Sequence, residues 1–325
     1  MSDVPGRTYF SRMSSQTGFK VDALEKVYRL IMILNRIQDL PELAGNLALK
    51  GGTAIQDLVF GFKRLSVDID LNYMGNIEKE AMQRDREEIR RTLLLLFRDL
   101  GYVADRPISM YAEEQFNTHF KNCGGGADRL KLEINYLERL PVAGTLRNRL
   151  SHPFDDLDSM DVLSYRPEEL FAGKMRALIV RGAPRDLYDA DLIARSIHDL
   201  DESLFRKTAL FYLSMYGNVR NMNADNIENV TQVDIRNNLV PMLSHDDHID
   251  MNAMKGNAMA VALGLLKLSD AEKRFFDTMY LGRTLDQDLL FGNEPVHKML
   301  AQHPAIVWRL QQLNRKGQSD SDWHR

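Results

Sequence analysis

The sequence predicts an α+β protein in which a small, mixed, twisted β-sheet is flanked by helices and followed by a mainly helical region. Three observations support this. A short apolar strand, a glycine pair, a helix and a second strand follow one another within residues 47–72. Two segments with alternating apolar residues lie within residues 116–136, and the pattern is helical from residue 167 onward. We therefore expect the strands in the first half of the chain.

Composition is that of an ordinary globular protein. Of the 325 residues, 44% are hydrophobic and 27% are charged, and this length allows two domains or one large domain with a helical extension. The formal net charge of −4 excludes a polycation, so contact with nucleic acid would require local basic patches.

Several features indicate a cytoplasmic protein. The single cysteine, Cys123, has no partner for an internal disulfide, and the N-terminus lacks a secretory signal pattern. The longest apolar run, residues 93–97, is far too short to cross a bilayer. We expect no contact with a membrane.

The chain before the glycine pair is predicted to hold one core helix. Residues 1–20 are polar and irregular, which indicates a loose arm or a strap over the domain. Apolar residues then recur at helical spacing from Val21 to Ile37 and form one buried stripe. Pro41 interrupts the helix, and residues 47–49 lead as a short strand into the glycine pair.

Residues 50–72, KGGTAIQDLVFGFKRLSVDIDLN, carry the main candidate site. Side chains alternate between the two faces of a strand, so Asp68 and Asp70 share one face while the apolar residues around them share the other. Neighbouring carboxylates repel each other, and a cation between them relieves the repulsion. Hard oxygen ligands of this kind suit Mg²⁺ or Mn²⁺.

The glycine pair supplies the second half of the site. Gly51 and Gly52 allow a close approach of the backbone, and the free amide groups of the helix they open attract phosphate. Alone, a glycine pair is usually a turn, and two strand aspartates are often a solvated face. Their combination at this spacing favours a site for a nucleotide and its metal ions.

A long helix and a hairpin are predicted next. Residues 77–100 are amphipathic, and their run of charged residues indicates a solvated face. The glycine loop at residues 123–126 lies between two alternating segments, which is typical of a hairpin. The second strand turns Glu133 away from its apolar side. Glu133 is therefore a candidate third carboxylate beside the two aspartates, with an ordinary exposed glutamate as the alternative.

Two later helices add further candidates. The first begins at Pro167 and places Lys174 and Arg181 on one face, because they are seven residues apart. The second begins with Asp186 and Asp189 in its first turn. Taken singly, the lysine is typical of a surface position and the aspartates of a helix start. Their order after Asp-x-Asp and the strand glutamate favours a shared site.

The remaining regions are predicted to be structural. Residues 141–165 indicate a linker with short pieces of structure, and the polar run 245–250 indicates a surface loop rather than a zinc site. From residue 199 onward helices are expected, one of them opened by a capping box at Ser269. Residues 321–325 are expected to form a tail.

These motifs resemble the signature of minimal nucleotidyltransferases of the DNA polymerase beta superfamily, in which a glycine pair or Gly-Ser precedes Asp-x-Asp. More narrowly, KGGTA followed by KRLSVDIDL resembles the AbiEii/AbiGii toxin family, as do KLEINY at residues 131–136 and the segment 169–189. Residues 281–313 are similar too. The Gly-Gly of this chain replaces the more common Gly-Ser and removes a hydroxyl, which Thr53 or Ser66 would replace.

The resemblance implies a domain division and roles for single residues. Residues 1–165 would form the nucleotidyltransferase catalytic domain, and residues 166–325 a mainly helical domain that contributes Lys174 and Asp186 to the cleft. The catalytic set would be Asp68, Asp70, Glu133, Lys174 and Asp186, with the first three as metal ligands and Glu133 as an alternative base. Lys174 would neutralise the triphosphate. The residues implied in nucleotide binding are Lys50, Gly51, Gly52, Thr53, Arg64, Ser66, Arg181 and Asp189.

The resemblance also implies a function. Family members are toxins of toxin-antitoxin or phage abortive-infection systems, encoded beside an antitoxin. We expect NTP-dependent transfer of nucleotides to RNA, at a tRNA 3′ end, with Mg²⁺ or Mn²⁺. Transfer to a small molecule such as an aminoglycoside or to a protein hydroxyl is an alternative, and a non-catalytic nucleotide-binding interaction protein is a second. The chain lacks a Walker motif and the kinase signature set, which argues against NTP hydrolysis and ordinary phosphoryl transfer.

Overall fold

The computed structural model describes residues 4–292 and 295–321. The α-helices are α1 (Arg7–Thr17), α2 (Val21–Gln38), α3 (Pro41–Ala44), α4 (Gly51–Ala54), α5 (Lys79–Asp99), α6 (Pro167–Arg181), α7 (Pro184–Ser196), α8 (Glu202–Tyr216), α9 (Asp225–Glu228), α10 (Gln232–Asn238), α11 (Met251–Leu266), α12 (Asp270–Tyr280), α13 (Asp288–Phe291) and α14 (Pro304–Ser321). The strands are β1 (Leu47–Lys50), β2 (Asp68–Tyr73), β3 (Val103–Ala104), β4 (Ile108–Ser109), β5 (Glu113–Lys121), β6 (Ala127–Asn135), β7 (Thr145–Arg149) and β8 (Asp161–Tyr165). A π-helical segment, Ile55–Phe60, continues α4, and 3₁₀ segments occupy Ile197–Asp199, Val219–Asn221, Val240–Met242 and Pro295–Gln302.

The strands form one mixed sheet. Its order is β3-β5-β6-β2-β1-β8-β7, and β4 also pairs with β5. The pairs β2·β6 and β1·β8 are parallel, and the other pairs are antiparallel. Helices precede, interrupt and follow this sheet, so the predicted α+β fold class is confirmed.

The register of the three central strands places charged residues in one row. Asp70 lies opposite Lys50 on β1 and beside Glu133 on β6. Directly paired residues project from the same face of a sheet. Their neighbours Ile69 and Leu132 point to the opposite face, where both are buried. A shift of one residue would exchange the two faces, so burial of the apolar set fixes this row.

One continuous core joins the two halves of the chain. Buried apolar residues of the sheet, the early helices and the later helices belong to one cluster. Phe60 stacks on Phe171 of α6 with ring centroids 5.5 Å apart, which links the turn after α4 to the helical half. The division at residues 165 and 166 stays a prediction.

The N-terminal segment is a helix rather than a loose arm. Helix α1 buries Phe10 and Met13, which are three residues apart and therefore share a face. The Phe10 ring contacts Tyr28 of α2 edge-on, with centroids 5.5 Å apart. The prediction of an arm was wrong for residues 7–17, because packing against α2 stabilises a helix that its polar sequence does not indicate.

The predicted linker at residues 141–165 is also corrected. Strands β7 and β8 pair along five residues, and β8 runs parallel to β1 and connects the edge strand β7 to the rest of the sheet. Val162 and Tyr165 are buried. The partner strand β1 lies about a hundred residues earlier in the sequence, so nothing local marks this segment as part of the sheet.

Other predictions are confirmed. The hairpin is β5–β6, and Ser269 and Glu272 form a capping box at the start of α12. Residues 245–250 form a loop. The prediction of a tail at residues 321–325 falls largely outside the described residues, and Ser321 ends α14. No helix in the described ranges has the length and apolar character needed to span a membrane.

Candidate functional site

A glycine turn brings β1 against the strand that carries the two aspartates. Gly51 has a φ of 70°, a left-handed conformation that glycine adopts without strain. A Cβ on Gly51 would lie 2.9 Å from Cγ of Asp70, and one on Gly52 would lie 2.9 Å from Oγ of Ser66. Both distances are too short for a real side chain. The two glycines are therefore required by the close approach of the turn to β2 and the residues before it.

Three carboxylates lie on the same face of β2 and β6. Asp68 and Asp70 alternate with buried Ile69, and Glu133 lies beside Asp70. Burial raises the pKa of Asp70, the charges of Asp68 and Glu133 raise it further, and Lys50 opposes them. Ionising Asp70 at this position is therefore unfavourable unless positive charge is nearby.

Protein cations already contact the other two carboxylates. Nη1 of Arg185 lies 3.8 Å from Oδ2 of Asp68, and Nζ of Lys131 lies 3.3 Å from Oε1 of Glu133. No three acidic, histidine or cysteine side chains in the described part of the chain are gathered closely enough to hold a metal ion. Mg²⁺ commonly binds proteins through one or two carboxylates and takes its other ligands from water and phosphate. Asp68 and Asp70 fit that pattern, and the roles of Asp68, Asp70 and Glu133 as metal ligands all stay predictions.

A cleft of about 410 Å³ lies between this face of the sheet and helix α6. This volume is within the range of small-molecule sites. The predicted site residues that line the cleft are Lys50, Gly51, Gly52, Asp70, Glu133, Lys174 and Arg181. The fold thus brings to one cavity residues that are more than a hundred positions apart in the sequence.

Lys174 enters the cleft wall from α6 and is held by two carboxylates of α7. Its Nζ lies 2.8 Å from Oδ1 of Asp186 and 2.9 Å from Oδ2 of Asp189. Burial alone would lower the pKa of Lys174, but the two aspartates raise it above its usual value. The ammonium group is therefore positively charged. Arg181 adds a second cation, with Nε 2.7 Å from Oδ2 of Asp186.

Arg64 and Asp189 form a buried pair behind this wall. Arg64 is 1% exposed, and its Nε and Nη2 lie 2.8 and 2.6 Å from the two oxygens of Asp189. Gln56 donates a third hydrogen bond to the same carboxylate at 3.0 Å. Burial would raise the pKa of Asp189, yet Arg64 and Lys174 lower it. Asp189 therefore carries a negative charge and pairs with both Arg64 and Lys174.

Several residues that were predicted to bind the nucleotide do not line the cleft. Thr53 is buried, and its hydroxyl donates to the carbonyl of Asp68 at 2.6 Å. The residues of the predicted set that are absent from the lining are Thr53, Arg64, Ser66, Asp68, Asp186 and Asp189. Of these, Asp68 keeps its place on the carboxylate face of β2, and the others occupy supporting positions.

The cleft also contains residues that the sequence did not indicate. Oε2 of Glu138 lies 3.2 Å from Nζ of Lys50. Burial would raise the pKa of Glu138, but Lys50 and Arg176 lower it to about 2. Arg176 and Tyr216 line the cleft as well. Glu138 follows β6 in an irregular turn and Tyr216 ends α8, so neither has a local spacing that marks it.

Comparison with known proteins agrees with this architecture. A family model described as "Nucleotidyl transferase AbiEii toxin, Type IV TA system" matches residues 33–262, which is more than two thirds of the chain. Among solved structures, the MenT4 nucleotidyltransferase toxin from Mycobacterium tuberculosis matches with a TM-score of 0.64 and 15% sequence identity, covering 93% of this chain and 99% of that one. This likeness shows a shared fold.

Two further structures align at 12% identity with a TM-score of 0.27, which is too low to support an argument. Both contain CdnC from Escherichia coli, one in complex with HORMA-deltaN and one with ATP. The first alignment covers 90% of this chain and 99% of that one, and the second covers 89% and 98%. No curated protein matches the sequence.

Proposed function

The chain belongs to the AbiEii family of nucleotidyltransferase toxins of type IV toxin-antitoxin systems, and from this premise we propose that it transfers nucleotides from an NTP to the 3′ end of tRNA. The observation that carries the proposal is the cleft, in which the carboxylates of β2 and β6 face the cations of α6 across one cavity. The proposed divalent ion is Mg²⁺ or Mn²⁺, and the proposed protein partner is a cognate antitoxin. We propose a cytoplasmic location, where NTPs and tRNA are present.

Asp68 and Asp70 are the residues that would hold the divalent ion. They supply hard oxygen ligands from one strand face, and the burial that raises the pKa of Asp70 favours a nearby cation. When bound, such an ion polarises the α-phosphate and makes an attacking hydroxyl more acidic.

The glycine turn and α6 would hold the triphosphate from two sides. Lys50, Gly51 and Gly52 line one side, and Lys174 and Arg181 line the other. Fixed positive charges stabilise the negative charge that develops on the departing pyrophosphate. Asp186 and Asp189, with Arg64 behind them, would keep Lys174 in place, because its side chain is held by both carboxylates.

The chemical step would be an in-line attack on the α-phosphate. The oxygen of a terminal ribose hydroxyl forms the new bond to phosphorus, the bond to the β-phosphate oxygen breaks, and pyrophosphate leaves. The hydroxyl proton passes to a carboxylate, for which Glu133 beside Asp70 is the candidate base. Binding of both substrates between the sheet and α6 would hold the reacting atoms in line, and this positioning would account for most of the rate enhancement.

Exposed arginines next to the carboxylates support an anionic acceptor. The side chain of Arg181 is 64% exposed, and that of Arg185, which contacts Asp68, is 40% exposed. Arginine pairs well with phosphate groups, so these side chains provide a local basic patch on a chain of net charge −4. RNA is therefore the acceptor that we propose.

The acceptor is tested by incubating the protein and Mg²⁺ with each of the four NTPs, labelled at the α-phosphate that is transferred, and with total tRNA, a protein extract or an aminoglycoside in separate reactions. We expect ribonuclease-sensitive label on tRNA alone. Transfer RNA whose terminal diol has been destroyed with periodate is the matched control and should accept none. Label on protein or antibiotic would contradict the proposed acceptor, and label on nothing would contradict nucleotide transfer.

A further inference from the structure

The cleft lining includes two exposed apolar or aromatic side chains. Val180 at the end of α6 is 39% exposed and Tyr216 at the end of α8 is 45% exposed, and both line the cavity. The other large apolar or aromatic lining residues, Ile55, Leu71, Tyr165, Leu170 and Tyr212, are buried. Val180 and Tyr216 therefore provide the apolar surface that a ligand in this cleft can cover.

Arg176 holds the Tyr216 ring in place. Its guanidinium carbon lies 4.5 Å from the ring centroid, and its Nη1 donates a hydrogen bond to the tyrosine hydroxyl. Glu138, which also lines the cleft, interacts electrostatically with Arg176. A guanidinium stacked on a ring restricts its motion, and the Tyr216 residue keeps 45% of its surface exposed.

Tyr216 shares the cleft with charged residues of the candidate site. Asp70, Arg181 and Tyr216 all line this one cavity, and the charge of Arg181 acts to lower the pKa of Tyr216. Gly173 lines the same cavity, and a Cβ added there would meet no atom within 4 Å. The cleft therefore has open space beside Gly173 of α6.

We propose that the exposed part of the Tyr216 ring, backed by Arg176 and extended by Val180, stacks the nucleobase of the incoming NTP. This inference rests on the proposed use of an NTP and adds a base subsite to it. A nucleotide has a highly charged end and a flat aromatic end, and the cleft has a charged region and an aromatic region in one volume of about 410 Å³. The charged region accommodates the triphosphate, so the aromatic region takes the base.

Stacking of this kind does not distinguish between bases. Every base has a π-face, and base contacts with aromatic side chains tolerate a change of base. Tyr216 therefore contributes affinity for all four NTPs, and any preference among them comes from other residues.

The test compares the binding of each of the four NTPs, and of inorganic tripolyphosphate, by isothermal titration calorimetry with Mg²⁺ present. Tyr216→Ala should weaken NTP binding between about 5-fold and 150-fold, the range for loss of one base-aromatic stack, and by a similar factor for each NTP. Tripolyphosphate, which has no base, should bind as it does to the wild type.

Two further variants serve as controls. Tyr216→Phe keeps the ring and should stay within about 3-fold of the wild type, because the stacking surface is retained. Tyr111→Ala removes a tyrosine that is 63% exposed and lies outside the cleft lining, and it should bind NTP unchanged.

Three results would overturn the inference. The first is that Tyr216→Ala binds NTP as the wild type does. The second is that Tyr216→Ala loses affinity for tripolyphosphate by the same factor as for NTP. The third is that Tyr216→Ala raises the KM for tRNA and leaves NTP affinity unchanged, which would assign the ring to the acceptor. A wild-type protein that binds no NTP at all would instead refute the proposed function, and the base subsite with it.

Discussion

Asp189 pairs with two buried cations, and its replacement should destabilise the protein. Asp189→Asn removes the negative charge that pairs with Arg64, and Arg64 is only 1% exposed to solvent. Breaking a buried ion pair by removal of one partner costs about 3–5 kcal/mol. We expect a loss of this size in the free energy of unfolding measured by urea denaturation.

The exposed half of the same network provides the control. Arg181 contacts Asp186, but its side chain is largely solvated and Asp186 keeps Lys174 as a partner. Because solvent screens such a pair, Arg181→Gln should change the free energy of unfolding by less than about 1 kcal/mol. Equal losses in the two variants would show that burial does not govern this network.

His303 should make stability depend on pH. It is fully buried beside Phe211, and burial lowers its pKa from 6.5 to about 4. The unfolded chain therefore binds a proton at a higher pH than the folded protein, so stability falls as the pH falls from about 6.5 to about 4. A difference of this size corresponds to about 3 kcal/mol.

The measurement is the free energy of unfolding of the wild type and of His303→Phe across this pH range. The variant has no titrating group at residue 303, so the wild type should lose more stability on acidification than the variant does. Parallel curves for the two proteins would contradict the assigned role of His303.

The turn between β1 and α4 should tolerate no side chain at its first residue. Gly51→Ala places a Cβ against the Asp70 carboxylate, and a misplacement of about 1 Å in a catalytic group costs on the order of 100-fold in rate. We expect at least that loss in the initial rate of nucleotide transfer to tRNA.

Gly101→Ala is the matched control for backbone strain. Gly101 follows α5 with a φ of 80°, and a Cβ there would meet no atom within 4 Å. Both variants introduce the same left-handed strain of about 1–2 kcal/mol, but Gly101→Ala should keep the transfer rate of the wild type. A Gly51→Ala protein that is equally active would show that the close approach to Asp70 is unimportant.

The sequence correctly predicted those helices and strands whose own residues show a clear apolar pattern. The helix α2 has a complete apolar stripe, and the β5–β6 hairpin has alternation on both sides of a glycine loop. Strands β7 and β8 were missed because β8 joins the sheet through long-range pairing with β1, and β7 joins it only by pairing with β8. Helix α1 was missed because its few apolar residues gain their partners from α2.

The cleft shows the same difference between residues marked by a local pattern and residues placed by long-range packing. Asp68, Asp70 and Glu133 could be placed on one sheet face because strand alternation is a local rule. Glu138 and Tyr216 line the cleft because a turn and the end of α8 pack beside α6. No residue spacing in the sequence predicts this packing. Sequence reasoning therefore found the carboxylates of β2 and β6 and the cations Lys174 and Arg181, and it missed Glu138, Arg176 and the aromatic Tyr216.

The continuous core predicts cooperative unfolding of the whole chain. Buried residues of the sheet and of the later helices form one cluster, so neither half keeps its apolar surface covered without the other. Differential scanning calorimetry should show one transition whose calorimetric and van't Hoff enthalpies agree. Two resolved transitions would contradict this prediction and support separate domains on either side of residue 165.

The carboxylate face of β2 is the centre of this account, and Asp70→Asn tests it most directly. Transfer of labelled NTP to tRNA and growth arrest after induction should be measured for the wild type, for Asp70→Asn and for Asp99→Asn, a replacement on the exposed end of α5. We predict that Asp70→Asn loses both transfer and toxicity while its circular dichroism spectrum is unchanged, and that Asp99→Asn keeps both. A folded Asp70→Asn protein that still transfers nucleotides and arrests growth would contradict the assignment of this cleft as the catalytic site.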